Sequence, residues 1–184
     1  TPPNNFQDVS SLKSSKEADQ LSEKLIKQIT HKEFVTIFPR KRDLRRPDKN
    51  WSEQNWIEFI KMIIDDLKLG VFICGTPEGT FLHNFTYNNL VNTIFEKPSI
   101  LLDLQISLLN KSNYSIHGRS GSCYLSMQAG NKTFMAGPES DRYRICEYDN
   151  INNAEILYFT DYGVNPSPKQ KFDAFKNYYL KTND

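Results

Sequence analysis

The sequence predicts an α/β fold of the Rossmann type, in which a parallel sheet carries helices on both faces. Short apolar runs alternate with stretches of helical periodicity along most of the chain, as in successive β-α-β units. The run at residues 71–74 is apolar throughout, which is typical of a strand buried on both faces of a sheet. Turns rich in Gly, Pro, Ser or Arg directly follow several of these runs. In a parallel sheet such turns open on one edge.

Composition sets the broad class. The chain has 184 residues, of which 38% are hydrophobic, as in one globular domain. Its net charge of +1 argues against a nucleic-acid-binding or polybasic membrane surface. No apolar run has the length of a membrane span and no signal-type leader begins the chain, so we expect a cytoplasmic protein without a transmembrane segment. Because the first residue is Thr rather than Met, we expect a processed product or a piece of a longer protein.

The three cysteines, Cys74, Cys123 and Cys146, are widely spaced and form no C-x-x-C pair. This pattern indicates neither a zinc site nor a disulfide framework. Cys74 and Cys146 lie in apolar, strand-like runs and are predicted to be buried as small hydrophobic residues.

The N-terminal part begins with a polar segment, residues 1–15, that is typical of an arm. Residues 16–30 carry apolar positions at helical spacing, and residues 34–38 form a strand that Pro39 stops. We therefore divide the chain into an N-terminal arm with a helix or linker, residues 1–30, and a folded domain, residues 31–184.

A basic run follows the first strand directly, since five of the seven residues at positions 40–46 are Arg or Lys. One interpretation is a solvated surface loop. The other places the loop at the carboxyl edge of the sheet, where α/β proteins bind ligands, with Arg40 or Arg42 contacting a phosphate.

The middle of the chain contains a helix that Ser52 is predicted to cap, with Glu53 in its first turn and Gly70 as its stop. The strand at residues 71–74 then leads into the turn Gly75-Thr76-Pro77-Glu78-Gly79. Two further helices are predicted, at residues 87–95 and 101–110.

The stretch at residues 114–138 is the most informative part of the sequence. It predicts a strand at 114–117, a turn at 118–122, a helix at 123–129 that Gly130 ends, and a strand at 133–136. The turn holds Arg119, Ser120, Gly121 and Ser122, so that hydroxyls, backbone N–H groups and the positive end of a helix meet. This combination suits an anion such as a phosphate. An ordinary strand-to-helix turn with a Ser cap is the alternative.

The C-terminal part is predicted as a polar loop at residues 139–144, a strand at 156–159 and a final helix at 169–180. Phe172, Phe175 and Tyr179 lie on one stripe of that helix. We interpret this stripe as a docking surface for the rest of the domain.

Three unusual turns, at residues 40–46, 75–79 and 118–122, all follow predicted strands. We therefore expect them to meet at one edge of the sheet and to form a pocket for an anionic ligand with a diphosphate. The sequence contains neither G-x-G-x-x-G after the first strand nor a G-x-x-x-x-G-K-[ST] motif. Both a Rossmann oxidoreductase and a P-loop NTPase are therefore disfavoured.

Several short motifs together resemble a known family. They are Phe38-Pro39-Arg40, Trp56 in the next helix, Gly75-Thr76-Pro77, the helix at 103–109, Ser120-Gly121-Ser122, Ala129-Gly130 and Gly137-Pro138. Over residues 34–180 the sequence resembles the C-terminal, donor-binding half of GT-B glycosyltransferases, especially the heptosyltransferase-like group of glycosyltransferase family 9. The resemblance implies that residues 31–184 form a Rossmann-like domain that binds a nucleotide sugar.

The resemblance also implies roles for particular residues. Arg40 or Arg42 would meet the diphosphate, and Glu78, in the turn that also contains Thr76, would contact the ribose.

In the family the turn before the helix reads Asp-Thr-Gly, followed three residues later by His, and holds the sugar phosphate. Ser120 and Gly121 match the Thr and the Gly, and Ser122 follows them. Arg119 replaces the acid and Tyr124 replaces the His, which leaves the donor sugar undetermined.

The activity that the resemblance implies is transfer of a sugar from a nucleotide-diphosphate donor to a glycan acceptor, without a cofactor. Arg40, Arg42, Arg119 and the N–H groups of the turn would stabilise the departing diphosphate. No Asp-x-Asp signature for a metal is present, so we expect a metal-independent reaction.

The catalytic base is not identified. In GT-B enzymes it comes from an N-terminal acceptor domain, which we expect in a longer parent chain or in a partner protein. Glu139 and Asp141 are either acids facing the donor sugar or plain loop acids, and for His117 we favour a structural hydrogen bond over catalysis.

Two other functions remain open from the sequence. One is a non-catalytic module that binds a sugar nucleotide or phosphosugar. The other is a GT-B-like sugar-nucleotide epimerase, which would also need the second domain.

Overall fold

The computed structural model describes residues 12–44, 46–146, 155–161, 163 and 165–183. Within them, six parallel strands form one sheet in the order β3-β2-β1-β4-β5-β6. The strands are β1 Glu33–Phe38, β2 Leu69–Ile73, β3 Leu90–Asn92, β4 Tyr114–His117, β5 Lys132–Ala136 and β6 Ile156–Phe159. The helices are α1 Lys16–Ile26, α2 Glu53–Leu67, α3 Pro98–Lys111, α4 Ser122–Gln128, α5 Glu139–Cys146 and α6 Pro168–Asn183. The predicted Rossmann-like α/β fold is confirmed.

The chain reverses its direction of travel across the sheet at β1. It runs outward from β1 through β2 to β3, and then returns to place β4 on the other side of β1. Near the carboxyl ends of the strands, Ile37 of β1 is in register with Ile73 of β2 and with Ile116 of β4. Such a reversal opens a crevice at the carboxyl ends of the central strands, which is where open α/β sheets bind ligands.

Helices cover both faces of the sheet because the strand side chains alternate between two apolar cores. In β1, Val35 and Ile37 face the core formed with α2 and α6, whereas Phe34 and Phe38 face the core formed with α1 and α3. The first core holds most of the large fully buried side chains, among them Trp56, Phe59, Phe172 and Phe175.

The C-terminal helix α6 docks on α2 through the stripe predicted from the sequence. Phe172 and Phe175 are buried and Tyr179 packs partly buried beside them. The same helix carries Lys171 into this core, where its ammonium lies 4.0 Å from the ring centre of Trp56 and 4.3 Å from that of Trp51. The interpretation of the stripe as a docking surface is therefore confirmed.

Two predicted elements are wrong. Residues 87–95 were expected to be helical, but Leu90–Asn92 form the short strand β3. The apolar positions of this stretch fall at helical spacing because Val91 and Ile94 are buried in a strand and in the turn after it. Residues 139–144 were expected to be a loop, but they begin helix α5, which also contains Cys146. This short helix is too polar to show an apolar stripe.

The stop of α2 also differs from the prediction. The helix ends at Leu67, its cap residue Lys68 takes a left-handed conformation with φ of 56°, and Gly70 lies inside β2. Gly70 packs closely on Ile29 there, since a Cβ atom would lie 2.5 Å from Cδ1 of Ile29 and that side chain would have to shift. Most of the predicted N-terminal arm and of the loop before β6 lies outside the described residues.

Candidate functional site

The three unusual turns meet at the carboxyl edge of β1, β2 and β4, where they surround a cleft of about 690 Å³. Seven of the nine residues predicted for a ligand site line this cleft. They are Arg40, Arg42, Thr76, Glu78, Ser120, Gly121 and Ser122. The other two, Arg119 and Tyr124, line a smaller cavity of about 180 Å³ on the far side of the Ser120–Gly121 turn.

The basic loop after β1 is joined to the turn after β2 by backbone pairing. Arg40 and Thr80 form an antiparallel bridge. On either side of it, the Lys41 N–H donates to the Gly79 carbonyl at 2.8 Å and the Phe81 N–H donates to the Pro39 carbonyl at 3.0 Å. These hydrogen bonds hold two walls of the cleft at a fixed separation.

Asn50 fixes the shape of the basic loop. Its side-chain oxygen accepts hydrogen bonds from the Arg40 guanidinium and, at 3.1 Å, from the Arg42 N–H. Its side-chain NH₂ donates to the Arg42 carbonyl at 2.8 Å. The sequence did not indicate this role, because the bonds reach back eight and ten residues and no local pattern marks them.

Arg40 and Arg42 bring two positive charges to the cleft, whose lining also holds Glu78 and Glu96. Arg40 is only 8% exposed. Burial, reinforced by the nearby charges of Arg42 and Arg119, lowers the pKa of Arg40 below its ordinary value. A guanidinium remains protonated at neutral pH in any case. A bound anion would therefore relieve the repulsion among these cations.

The turn after β2 depends on a glycine. Gly75 has φ of +126°, and a Cβ atom there would lie 2.2 Å from Oγ1 of Thr80. The Gly75 carbonyl accepts a hydrogen bond from the Gln105 side chain of α3 at 2.8 Å. The turn closes when the Gly79 N–H donates to the carbonyl and the hydroxyl of Thr76. Thr76 and Glu78 are left exposed at the rim of the cleft.

The turn after β4 approaches the basic loop closely. A Cβ atom on Gly118 would lie 2.8 Å from Cβ of Arg40, so the absence of a side chain at Gly118 allows Arg40 its position. The Gly118 N–H donates to the Phe38 carbonyl at 3.0 Å, which extends the pairing of β4 with β1.

His117 lies buried behind this turn. Its Nδ1 is 2.9 Å from Oγ of Ser122 and its Nε2 is 2.8 Å from Oγ of Ser126. The ring stacks on Phe38 with the centroids 4.4 Å apart. Burial lowers the pKa of His117 to about 3, so the ring is neutral at physiological pH. These contacts agree with the structural role favoured from the sequence.

Arg119 is bound to a carboxylate. Its guanidinium donates to Asp141, with Nε at 3.2 Å, and Lys49 donates to the same carboxylate oxygen at 3.2 Å. Partial burial would raise the pKa of Asp141, but the hydrogen bonds from Arg119 and Lys49 outweigh burial and lower it. The positive charge that Arg119 brings to the smaller cavity is therefore already paired with the negative charge of Asp141.

An apolar wall also lines the cleft, and no sequence pattern indicated it. Phe95 and Leu102 are each 60% exposed although both are large and hydrophobic. Exposed apolar groups beside a concave surface are typical of ligand sites. The incorrect helix at 87–95 hid this wall, because it placed Phe95 on a helix instead of in the turn after β3. The wall consists of Ile94, Phe95, Pro98, Leu101, Leu102 and Leu125.

The described ranges contain no cluster of three or more His, Cys, Asp or Glu side chains with the spacing to hold a metal ion. No helix in the same ranges combines the length and the apolarity that a membrane crossing requires.

Comparison with solved structures identifies the fold. E. coli ADP-heptose LPS heptosyltransferase II matches 95% of this chain with a TM-score of 0.65 and 14% identity. A family 9 glycosyl transferase from Veillonella parvula matches 93% with a TM-score of 0.63 and 13% identity. The E. coli heptosyltransferase WaaC, solved with ADP-2-deoxy-2-fluoro heptose, matches 88% with a TM-score of 0.55 and 14% identity. No protein-family model matches the sequence, and comparison with curated proteins gives no match.

The chain spans about half the length of these structures, between 48% and 54%. At such low identity the likeness concerns the fold. The chain has a heptosyltransferase-like glycosyltransferase fold, and in this respect the resemblance found in the sequence is confirmed.

Proposed function

We propose that the cleft binds the nucleoside diphosphate of a nucleotide sugar, and that the chain is the donor-binding domain of a glycosyltransferase that acts on a glycan acceptor. The observation that carries this proposal is that two walls of different chemistry line one cleft. One contains Arg40 and Arg42, bonded to Asn50, and the other is an exposed apolar surface around Phe95 and Leu102.

These two walls match the two halves of a nucleoside diphosphate. Guanidinium groups bind phosphate oxygens through short charge-assisted hydrogen bonds. A nucleobase is flat and largely apolar on its faces, and it would lie against Phe95 and Leu102. Glu78, which is exposed and lines the same cleft, would accept hydrogen bonds from ribose hydroxyls. The E. coli heptosyltransferase WaaC, which has a similar fold, was solved with an ADP-sugar analogue, and this supports the arrangement.

The same groups would assist the chemistry. Glycosyl transfer leaves negative charge on the departing diphosphate, and fixed cations that stabilise this charge lower the barrier. Arg40 and Arg42 would do this in the cleft without a metal ion.

The base for the acceptor would come from elsewhere. Asp141 is bound by Arg119 and Lys49, and its lowered pKa makes it a poor proton acceptor. Glu139 is exposed at the start of α5, with an oxygen 3.6 Å from Arg142. We therefore assign the base to an N-terminal acceptor domain, either in a longer parent chain or in a partner protein. The length of the related structures, about twice that of this chain, supports this view.

One observation favours a second candidate, a non-catalytic module for a sugar nucleotide or phosphosugar. Arg119 stands where the resembled enzymes have an acid, and it is bound to Asp141. A site with Arg119 in place of the acid would still bind a diphosphate but would not catalyse sugar transfer.

Calorimetry and thermal unfolding with ADP, UDP and GDP test the proposal. A ligand that binds only the folded state raises its stability, by roughly 2.7 kcal/mol at 100 times Kd. We expect at least one nucleoside diphosphate to raise the melting temperature. Arg42→Ala, on an exposed side chain of the cleft, should weaken binding about tenfold or more, as expected for loss of a charged hydrogen-bond donor.

Lys41→Ala is the matched control, because it removes one positive charge from the same loop. Lys41 lines a different cavity, beside Phe81. It should leave binding nearly unchanged. Equal losses in both variants would mean that the loop acts only through its net charge. No stabilisation by any nucleoside diphosphate at millimolar concentration would count heavily against both candidate functions.

Release of nucleoside diphosphate from nucleotide sugars separates the two candidates. A donor-binding domain should release it when the acceptor domain and a glycan acceptor are supplied. A binding module should bind without release under the same conditions.

A further inference from the structure

We propose that buried His117 is a positioning residue that orients a chain of hydroxyl groups, so that Ser120 presents a hydrogen-bond donor to the cleft. This inference rests on the proposed function. The chain of contacts runs from Ser126 through His117 and Ser122 to Ser120, which lines the cleft.

The geometry of the chain is continuous. Ser126 Oγ lies 2.8 Å from His117 Nε2, and His117 Nδ1 lies 2.9 Å from Ser122 Oγ. Ser122 Oγ lies 2.7 Å from Ser120 Oγ. His117 and Ser126 are fully buried, whereas Ser120 and Ser122 reach the cleft. A neutral imidazole has one N–H, so it can donate to only one of its two serine neighbours.

The buried hydroxyl of Ser126 decides which tautomer of His117 forms. In the described part of the chain, the Ser126 hydroxyl has His117 Nε2 as its hydrogen-bonding partner. If Nε2 carried the proton, the hydroxyl would accept it and its own hydrogen would be buried without an acceptor. Such a group is costly. If Ser126 instead donates to Nε2, every buried hydrogen is used, and the ring proton lies on Nδ1.

In the proposed arrangement the remaining bonds run in the same direction from His117 to the cleft. Nδ1–H donates to Ser122, and the Ser122 hydroxyl donates to Ser120. Ser120 Oγ also accepts from the Ser122 N–H at 3.4 Å, so its two lone pairs are occupied. The Ser120 hydrogen is then left to point into the cleft. A phosphate oxygen, which only accepts hydrogen bonds, fits this arrangement.

Burial keeps His117 in the neutral form that this arrangement requires. Because the ring lies in the core and stacks on Phe38, protonation is disfavoured, and burial lowers the pKa of His117 to about 3. The ring therefore remains neutral over the whole physiological range. The donor at Ser120 should not change with pH there.

Imidazole ¹⁵N NMR of the full chain tests the tautomer directly. The chain has three histidines, and the variants His31→Gln and His83→Gln each remove one set of signals and leave those of His117. We expect a proton on Nδ1 of His117 and an unprotonated Nε2. A proton on Nε2 would overturn the inference.

Calorimetry with inorganic pyrophosphate tests the consequence. Ser120→Ala should weaken binding about tenfold, as for loss of a hydrogen bond to a charged group. Ser126→Ala should weaken it about threefold, and it should also shift the His117 ¹⁵N signals towards a mixture of tautomers, although Ser126 is remote from the cleft. Ser115→Ala is the matched control, since Ser115 is equally buried and contacts Thr133 instead of His117. It should change neither measurement.

The outcomes separate this inference from the proposed function. If wild type binds pyrophosphate and Ser126→Ala binds it equally well with an unchanged tautomer, the positioning role of His117 is refuted. The proposed binding of a diphosphate in the cleft is then unaffected. If wild type binds neither pyrophosphate nor any nucleoside diphosphate, the proposed function fails and this inference fails with it, whatever the tautomer. If wild type binds only a nucleoside diphosphate, the same variants are compared with that nucleotide, and equal binding by Ser126→Ala refutes the positioning role.

Discussion

Lys171 carries an ammonium group that is unfavourable in the apolar core surrounding it. Its side chain is buried and its ammonium lies close to the rings of Trp56, Trp51 and Phe59, the last at 5.3 Å. Burial lowers the pKa of Lys171 to about 7. The ring faces attract the protonated form and partly offset this cost. At neutral pH the residue is therefore close to the balance between its charged and neutral forms.

The pH dependence of unfolding should show this balance. The unfolded pKa is 10.5 and the folded pKa is about 7, so between these values the unfolded state binds more protons. The free energy of unfolding of wild type therefore rises as pH rises through this window. Below pH 7 Lys171 is protonated in both states, and its destabilising effect on the folded state is greatest. Lys171→Met, similar in volume and uncharged, should therefore be the more stable protein at pH 6, by roughly 1 kcal/mol or more.

Urea unfolding of both proteins at pH 6 and pH 9 measures this effect. The stability difference between the variant and wild type should shrink at the higher pH. A difference that stays constant would show that Lys171 is charged, or neutral, in both states across the range.

Among the elements, those with strong local signals could be predicted from the sequence. Strands β4 and β6 occupy the predicted residues, because short runs of strand length bounded by polar turns leave little choice. The Ser52 cap of α2 is also present, with its hydroxyl accepting from the Asn55 N–H at 3.2 Å. Strand β3 and helix α5 could not be predicted, since a three-residue strand and a polar helix are determined by tertiary contacts.

The basic loop should lose function when Asn50 is changed to Ala. Asn50 makes three hydrogen bonds to this loop, one of them with the Arg40 guanidinium. Without them the two arginines would sample more positions, and a ligand would have to order them. We expect pyrophosphate to bind about tenfold more weakly, as for the loss of a bond to a charged group.

Asn55→Ala, five residues further along on α2, is the control and should bind pyrophosphate like wild type. Calorimetry on both variants provides the comparison, and urea unfolding shows whether the fold is intact. Wild-type affinity in Asn50→Ala would show that the loop holds its shape without this residue.

For the whole molecule, topology explains why the site could be anticipated. Since β1 lies between β2 and β4 and all three are parallel, the turns after them must meet. The details required the folded chain. The apolar wall, the Asn50 bonds and the pairing of Arg119 with Asp141 all join residues distant in sequence, and no periodicity encodes such contacts.

The global stability should depend on the docking of α6. Phe175 is fully buried, with its ring 5.4 Å from that of Phe134 and 5.8 Å from that of Tyr114. Phe175→Ala should lower the free energy of unfolding by about 3–5 kcal/mol. Leu180→Ala, on the same helix but 45% exposed, should cost much less. Urea unfolding measures both, and similar losses would show that α6 contributes little through its buried stripe.

The bridge between Arg40 and Thr80, together with the contact of Gly118 on Arg40, joins the three turns into one unit. A ligand would bind to turns that are already ordered, and little of the main chain would lose conformational freedom on binding. The entropy of association should then come mainly from the release of water and counterions. Any closing movement would belong to whatever structure lies across the opening.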